Sequence, residues 1–581
     1  MTVNKQITKL HNLLKKIGPS LIVLISLTSA ILLSLAIATH VNAASIVVTT
    51  LIDEILDDGF CSLREAIVNS NDDAATYDDC NAGFGEDIII FDEALGSGTI
   101  VLTSALPDVT SGSTLNIMGD ERITISGNDL HNIFYHFCGT LEDLKISNMG
   151  GPVYYGILIS DYSNSIIRNC EFSNNINEWS AIAVQGMDPT TLSIYDSTFS
   201  NNSSITGVIK VSWNGRLFMY ESSMNNNFSE NGGAIYNDDG YALLDHCSFQ
   251  NNNVDVDGGS IWNNSEMDIF HSSFAGNNSS EWGGAIRNSG TLTVSNGTFL
   301  ENTALMGGGI CNVQQGDSVS RTNIYNSTFS QNSSSLGGGI YNSWKLVIKN
   351  SILANSINGG DCVSTTAINS RNNLIEDTDD NACSLSDSVN GNIIGLDPRL
   401  GALVGSPSFF PLLQNSPAID AGDNETCANE PVNNTSQNGV NRPYGMTCDI
   451  GSYELAYPIV TSITTADPNP TSAESVNFNV SFNVPVTGVD SSDFELTTEG
   501  LTGSLINNIS GVDDNYVITV STGFGNGTIR LDVTDDDSVF DNYSEPLGSE
   551  GLGNGNFTDG EVYIINFIPY TIFMPLITNG N

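Results

Sequence analysis

Large apolar residues return along the middle of the chain at a fixed distance. Phe172, Phe199, Met224, Phe249, Phe274, Phe299, Phe329 and Leu353 are separated by 24 to 30 residues, and so, independently, are Ile157, Ile182, Ile209, Ile235, Ile261, Ile286, Ile310 and Ile340. Both series reach their longest interval, 30 residues, at the same place, where VQQGDSVSR is inserted. Two registers that stretch together describe one structural unit of about 25 residues. Inside a unit the pattern alternates with period two, as at Leu292, Val294 and Phe299 in TLTVSNGTF, which predicts strands. The runs are short and are cut by Asn and Gly, the residues that tolerate left-handed turns. Short strands in a unit of this length fit one coil of a parallel β-helix, each coil stacking on the next at about 4.8 Å. A leucine-rich repeat lacks support because its leucine spacing is absent, and a propeller blade needs a longer unit.

The repeat gives each position a structural task. The Phe series predicts an aromatic stack inside the coils, and the Ile series a second interior wall. Asn237, Asn263, Asn288, Asn312 and Asn342 predict a column of amides bonded along the stack. The paired glycines at 232–233, 258–259, 283–284, 307–308 and 337–338 predict a sharp corner without room for a Cβ. The predicted fold is therefore all-β: a right-handed single-stranded parallel β-helix with an N-terminal cap, followed by a small β-sandwich.

FSQN with GGGIYN (329–342) and FAGN with GGAIRN (274–288) carry a resemblance. They are similar to the FxxN and GGAI repeat of chlamydial polymorphic outer-membrane proteins, which implies a β-helix displayed on a cell surface and adhesion in some members. CSLREAI, Cys61–Ile67, resembles the CSLREA domain that opens bacterial secreted β-helix proteins. DPRLG at 397, SPAIDAG at 416, NRPYG at 441 and CDIGSYE at 448 resemble the choice-of-anchor Q module that follows such helices. From Pro458 the pattern changes to longer alternating strands with turns, similar to bacterial Ig-like surface modules. The expected organisation is a leader at 1–43, a cap at 45–92, the β-helix at 93–396, the choice-of-anchor-like module at 397–457, an Ig-like sandwich at 458–566 and a tail at 567–581. In the cap, Leu63, Ala66 and Ile67 sit at helical spacing, so Arg64 and Glu65 are expected to face outward or to pair locally.

Charge narrows the partners. Only 14% of the 581 residues are charged, yet the formal net charge is −48. Such a surface repels nucleic acid and anionic membranes. Lys5, Lys9, Lys15 and Lys16 precede an apolar run from Leu21 to Ala38 and the small-residue stretch Val41-Asn42-Ala43, the pattern of a secretory signal peptide. After its removal no membrane span is expected. The cysteines fall in the exported part, where disulfides form. Cys61 with Cys80, Cys362 with Cys383, and Cys427 with Cys448 are plausible local pairs.

Candidate chemistry is sparse. A glycosidase needs two carboxyls about 5 to 9.5 Å apart, and stacked coils offer Asp257 with Glu281, with Glu230 in the same column. The simpler reading of these acids is a solvated edge. Asp377, Asp379 and Asp380, and Asp535, Asp536 and Asp537, are candidate calcium ligands, although neither run has EF-hand spacing. No cofactor is required. Tyr241, Trp262, Trp282, Tyr325 and Trp344 offer faces for stacking on sugars. The six histidines fall into no HExxH pattern, and GxSxG is absent. The expected function is a secreted or cell-surface, non-catalytic β-helix that binds a surface glycan or a protein along its sides. The alternative is a polysaccharide lyase or glycoside hydrolase on a pectate-lyase-like β-helix.

Overall fold

The computed structural model describes residues 44–109, 115–151, 154–160, 163–315, 320–541, 543 and 545–566; the leader at 1–43 and the tail at 567–581 lie outside the described residues. Residues up to Tyr453 and residues from Glu454 onward form two compact units.

The first unit is a parallel β-solenoid. One coil illustrates the plan. Ile286–Asn288 pairs in parallel with Ile261–Asn263 on one side and Ile310–Asn312 on the other. Thr291–Ser295 pairs with Glu266–Phe270 and Arg321–Tyr325, and Thr298–Leu300 with Ser273–Ala275 and Thr328–Ser330. Repeated along the chain, these pairings build a 24-stranded sheet, a nine-stranded sheet and a four-stranded sheet. Leu292 and Val294 point inward and are fully buried, while Thr291 between coils is exposed.

Two turn columns bend the long sheet. Asn169, Asp196, Glu221, His246, His271, Asn296, Asn326, Asn350 and Asn372 all have φ between 44° and 53°. A second column, from Asn148 through Asn174, Asn201, Asn226 and Asn251 to Asn355, has φ between 52° and 56° at the next corner. Asn prevails because its short polar side chain tolerates the left-handed region. At the third corner Gly258 has φ +70°, and a Cβ on Gly259 would strike the carbonyl oxygen of Gly284 on the next coil. That contact accounts for the paired glycines.

Phe172 and Phe199 stack with ring centroids 4.8 Å apart, and Phe249, Phe274, Phe299 and Phe329 stack at 4.4 to 4.9 Å. Met224 occupies the place between the two stacks. The Asn237 column is bonded throughout: each Nδ2 donates to Oδ1 of the next Asn at 2.6 to 3.1 Å, ending at Asn342. A second ladder went unnoticed in the sequence. Asn175, Asn202, Asn227, Asn252, Asn277, Asn302 and Asn332 are buried, and each gives both its backbone N–H and its side-chain amide to the Oδ1 of the next.

The upstream end is closed by a helix, α1 (Leu63–Asp72), whose Ser62 and Glu65 form a capping box. Leu63, Ala66 and Ile67 are buried against the strand Ser45–Val48, which itself pairs with Asp87–Phe91. Glu65 pairs locally, as one of the two expectations had it, although it is buried, whereas Arg64 neither faces outward nor pairs locally. Glu65 is buried because its carboxylate accepts the N–H groups of Ser62 and Leu56. Arg64 is also buried, paired through Nε and Nη2 with both oxygens of Asp53 at 2.9 Å and donating to the carbonyls of Ser104 and Ala105. It ties the helix to the first coils, a long-range task invisible to helical spacing.

Residues 397–453 run along the outside of the long sheet, with little regular structure. Ser408, Gln437 and Ser452 hydrogen-bond to Ser273, Thr298 and Thr328 of three successive coils, and the Gly451 N–H reaches the Asn350 carbonyl. Cys61–Cys80, Cys362–Cys383 and Cys427–Cys448 are disulfides. Cys138, Cys170, Cys247 and Cys311 are free and buried. No helix among the described residues is long and apolar enough to cross a membrane.

The second unit is antiparallel. Val460–Thr465, Ser475–Phe482, Asn515–Ser521 and Leu505–Val512 form one sheet, and Phe494–Glu499, Asn526–Val533 and Val562–Asn566 another. The alternation of SVNFNVSF buries Val476, Phe478 and Val480 in a core shared with Ile529, Leu531 and Tyr563 of the other sheet.

Candidate functional site

Outward-facing residues stack as regularly as inward-facing ones. On the long sheet, Asp268, Thr293 and Asn323 form one outer column, and Phe270, Ser295 and Tyr325 the next but one. The segment around Pro431–Thr435 comes down beside them. It is held there by the Cys427–Cys448 disulfide, by Asn326 and Asn350, whose amides lie on Cys427 Sγ at 3.3 and 3.2 Å, and by Arg442. The buried Arg442 guanidinium donates to the carbonyls of Thr435, Asp449, Gly451 and Tyr453.

Between sheet and segment lies a groove of about 480 Å³. Phe270 and Tyr325 supply aromatic faces; Asp268, Thr293, Asn323, Asn433 and Thr435 supply hydrogen-bonding groups. Tyr241 donates its hydroxyl to Asp268 at 2.9 Å. Burial and then the Asp268 charge push the Tyr241 phenol well above its ordinary value. Burial also raises Tyr325. Aromatic faces with several donors and acceptors match a polyhydroxylated ligand.

His271, which lines this groove, meets Asp245 and His246 of the preceding coil. Nδ1 of each imidazole lies 2.9 Å from Oδ1 of Asp245, and the two rings stack at 4.6 Å. Burial works against the Asp245 carboxylate, but the hydrogen bonds from His246 and His271 hold it well below the usual carboxylate range. The same bond to Asp245 raises His246. Among the described residues this is the one group of three acid, cysteine or histidine side chains whose potential ligand atoms all lie within 4.8 Å of one another. Motif reading missed it. The signal was present in the spacing of His246 and His271, 25 residues, which is one coil.

The acids chosen from sequence are placed differently. Asp257 is buried: Oδ1 accepts the Trp282 N–H at 3.2 Å and Oδ2 lies 3.5 Å from Nε of Arg287. Burial raises its pKa despite Arg287. Glu281 is exposed. Asp257 is thus an internal ion-pair partner, neither a solvated edge nor a carboxyl open to substrate. Trp262, expected on the exterior, is also buried; it stacks on Tyr236 at 4.3 Å and lies under the Arg287 guanidinium at 5.2 Å. Arg287 in turn bonds Gln315 at 3.0 Å, so the guanidinium that lies over Trp262 is itself held in place. Trp282 and Trp344 are half-buried.

Neither calcium candidate run converges on one point. Asp377 Oδ2 accepts the Asp361 N–H, while Asp379 and Asp380 take hydroxyls of Thr378 and Ser384. Asp535 accepts the N–H groups of Asp537 and Gly555, Asp536 that of Ser538, and Asp537 that of Gly551. These carboxylates shape turns.

Residues 326–343 match the Chlamydia polymorphic membrane protein repeat. The matched stretch holds one member of nearly every column: the left-handed Asn326 and Gln331, the stacked Phe329, the ladder residues Asn332 and Asn342, and the glycine corner at 337–338. No curated protein matches the chain.

Proposed function

We propose that the chain is a surface-displayed, adhesive β-helix that binds a glycan in the groove between the long sheet and the Pro431–Thr435 segment, without transforming it. The observation that carries the reading is the groove itself, which pairs the Phe270 and Tyr325 faces with a carboxylate, amides and hydroxyls. The repeat match at 326–343 supports display at an outer surface, and the CSLREA-like and choice-of-anchor-like segments belong to the same reading. A net charge of −48 disfavours nucleic acid as the partner. Asp257 speaks for binding over hydrolysis, because Arg287 and the Trp282 amide already engage it.

The site is tested by Phe270→Ala and Tyr325→Ala. Each is expected to weaken binding of a captured oligosaccharide about tenfold, the loss of one stacking face being worth roughly 1 kcal/mol or more. Tryptophan fluorescence melting should stay unchanged, since all five tryptophans lie in the solenoid unit. Equal affinity of both variants and the parent chain would move binding away from the groove.

A further inference from the structure

His271 does more than accompany Asp245. Its Nε2 lies 2.9 Å from Oγ1 of Thr435. That hydroxyl has one proton, which it gives to the carbonyl oxygen of Val432 at 2.6 Å. Thr435 Oγ1 therefore accepts from its other neighbours, from Asn296 Nδ2 at 3.2 Å and from His271 Nε2. The Asn296 amide also lies 3.2 Å from His271 Nε2, so both ring nitrogens of His271 stand in polar contacts and the Thr435 hydroxyl is ready to take an Nε2 proton. In the metal-free chain Nδ1 donates to the Asp245 oxygen 2.9 Å away; a metal ion would displace that proton and leave the ring protonated at Nε2, against Thr435. His246 directs its own Nδ1 at the same oxygen, at the same distance. Three potential donor atoms thus lie within 4.8 Å of one another, and an oxygen outside the cluster contacts the far nitrogen of one ring, the arrangement by which ligating histidines are held.

We infer that Asp245, His246 and His271 bind a first-row divalent transition metal, zinc by ligand type, with a coordination position open to solvent. Tetrahedral donors about 2.0–2.1 Å from zinc stand about 3.3–3.4 Å apart; the 2.9 Å contacts on both sides of Asp245 Oδ1 are the hydrogen bonds that an ion would replace, with shifts of about half an ångström. Two imidazoles and one carboxylate select zinc, copper or nickel over calcium and magnesium, which take oxygen ligands. The site is not the calcium runs of the sequence and shares no residue with them.

The fold prepares this site. His246 and His271 occupy consecutive places in the left-handed turn column, with φ of 53° and 44°, where stacking brings equivalent side chains together. The His271 side chain is 14% exposed and that of His246 46%. The open side therefore lies at His246, facing a groove of about 540 Å³ lined by Glu221, Ser222, Ser223 and Ser248 and by Ser406-Pro407. Glu221, one coil earlier in the same column, adds negative charge there. Water or a ligand from another molecule would complete the coordination.

The test uses the full chain without an affinity tag. Titration calorimetry with zinc is expected to show one site per chain with micromolar or tighter affinity, unaffected by calcium or magnesium in excess. Cobalt(II) bound in its place should give visible d–d absorption that zinc abolishes. His246→Asn and His271→Asn keep a residue that this turn column already uses at Asn296 and Asn326, so the coil is expected to fold. Each should weaken zinc binding by at least about tenfold and remove the cobalt bands. The inference is overturned if the parent chain takes up no zinc, or if either variant, folded by its circular dichroism, binds zinc as tightly as the parent. None of these outcomes depends on the glycan reading.

Discussion

The side-chain amide of Asn227 donates to Oδ1 of Asn252, one coil further on, at 3.0 Å, and the same oxygen accepts the backbone N–H of Asn227 at 3.0 Å. Asn252 Nδ2 passes the pattern on to Asn277 and also satisfies the Met224 carbonyl. One buried side chain therefore closes the backbone polar groups of a turn that the strand ladder leaves open. Asn252→Ala would strand several of these groups at once, each worth about 1–3 kcal/mol when buried and unpaired. Chemical denaturation should show a loss of roughly 3 kcal/mol or more. Asn278→Ala, in an exposed place where the amide bonds Asn253, should cost less than about 0.5 kcal/mol.

Phe299 has a stacked ring on each side, Phe274 at 4.9 Å and Phe329 at 4.4 Å. Phe299→Ala leaves a hole that two coils cannot close without breaking register. The expected loss is about 3–5 kcal/mol, read from the tryptophan fluorescence transition. Phe329→Ala, next to Leu353 on its far side, should cost about 3 kcal/mol or more. Neither change should affect ligand affinity in the folded fraction; a weakened ligand affinity at full folding would contradict the division between interior scaffold and outer groove.

The second unit carries a pH response of its own. Burial first, then the charges of Asp541 and Glu550, push Glu545 up to about 7 from its ordinary 4.5. The folded state therefore holds this proton more tightly than the unfolded state. Its contribution is fully present below about pH 4.5 and is lost as the pH rises through 7. Urea titrations followed by isoleucine methyl signals of Ile518 and Ile529 should show stability of this unit falling across that window. Glu545→Gln should remove a share of about 2 kcal/mol, allowing for partial exposure. An unchanged pH slope in that variant would assign the response elsewhere, for instance to Asp493 or Asp541, which burial also raises.

The coil was legible because its period is written twice, in Phe and in Ile, and stacking turns any period into columns. The Asn237 column followed from the same count. The Asn252 ladder used an equally regular spacing, but in a stretch of Asn and Ser where no apolar contrast marks which amide points inward. His246 and His271 were hidden for a related reason: their partnership lies in coil register, whereas catalytic motifs are local in sequence. Trp262 and Asp257 were misplaced because Arg287, one coil on, lies over the indole and pairs with the carboxylate, a contact set by coil register. The groove could not be read at all from local pattern. One wall belongs to the repeat and the other to residues more than 100 positions downstream, docked by Arg442 and a disulfide.

The outer groove is proposed to bind sugar and leave it intact. Equilibrium binding of the full chain to a panel of acidic and neutral oligosaccharides, with the same samples assayed for new reducing ends and unsaturated products, tests it most directly. Saturable binding to at least one glycan is expected, dependent on Tyr325 and Phe270, with the oligosaccharide recovered unchanged. Cleavage products that disappear in Asp257→Asn or Glu281→Gln, or no binding to any member of the panel, would contradict it.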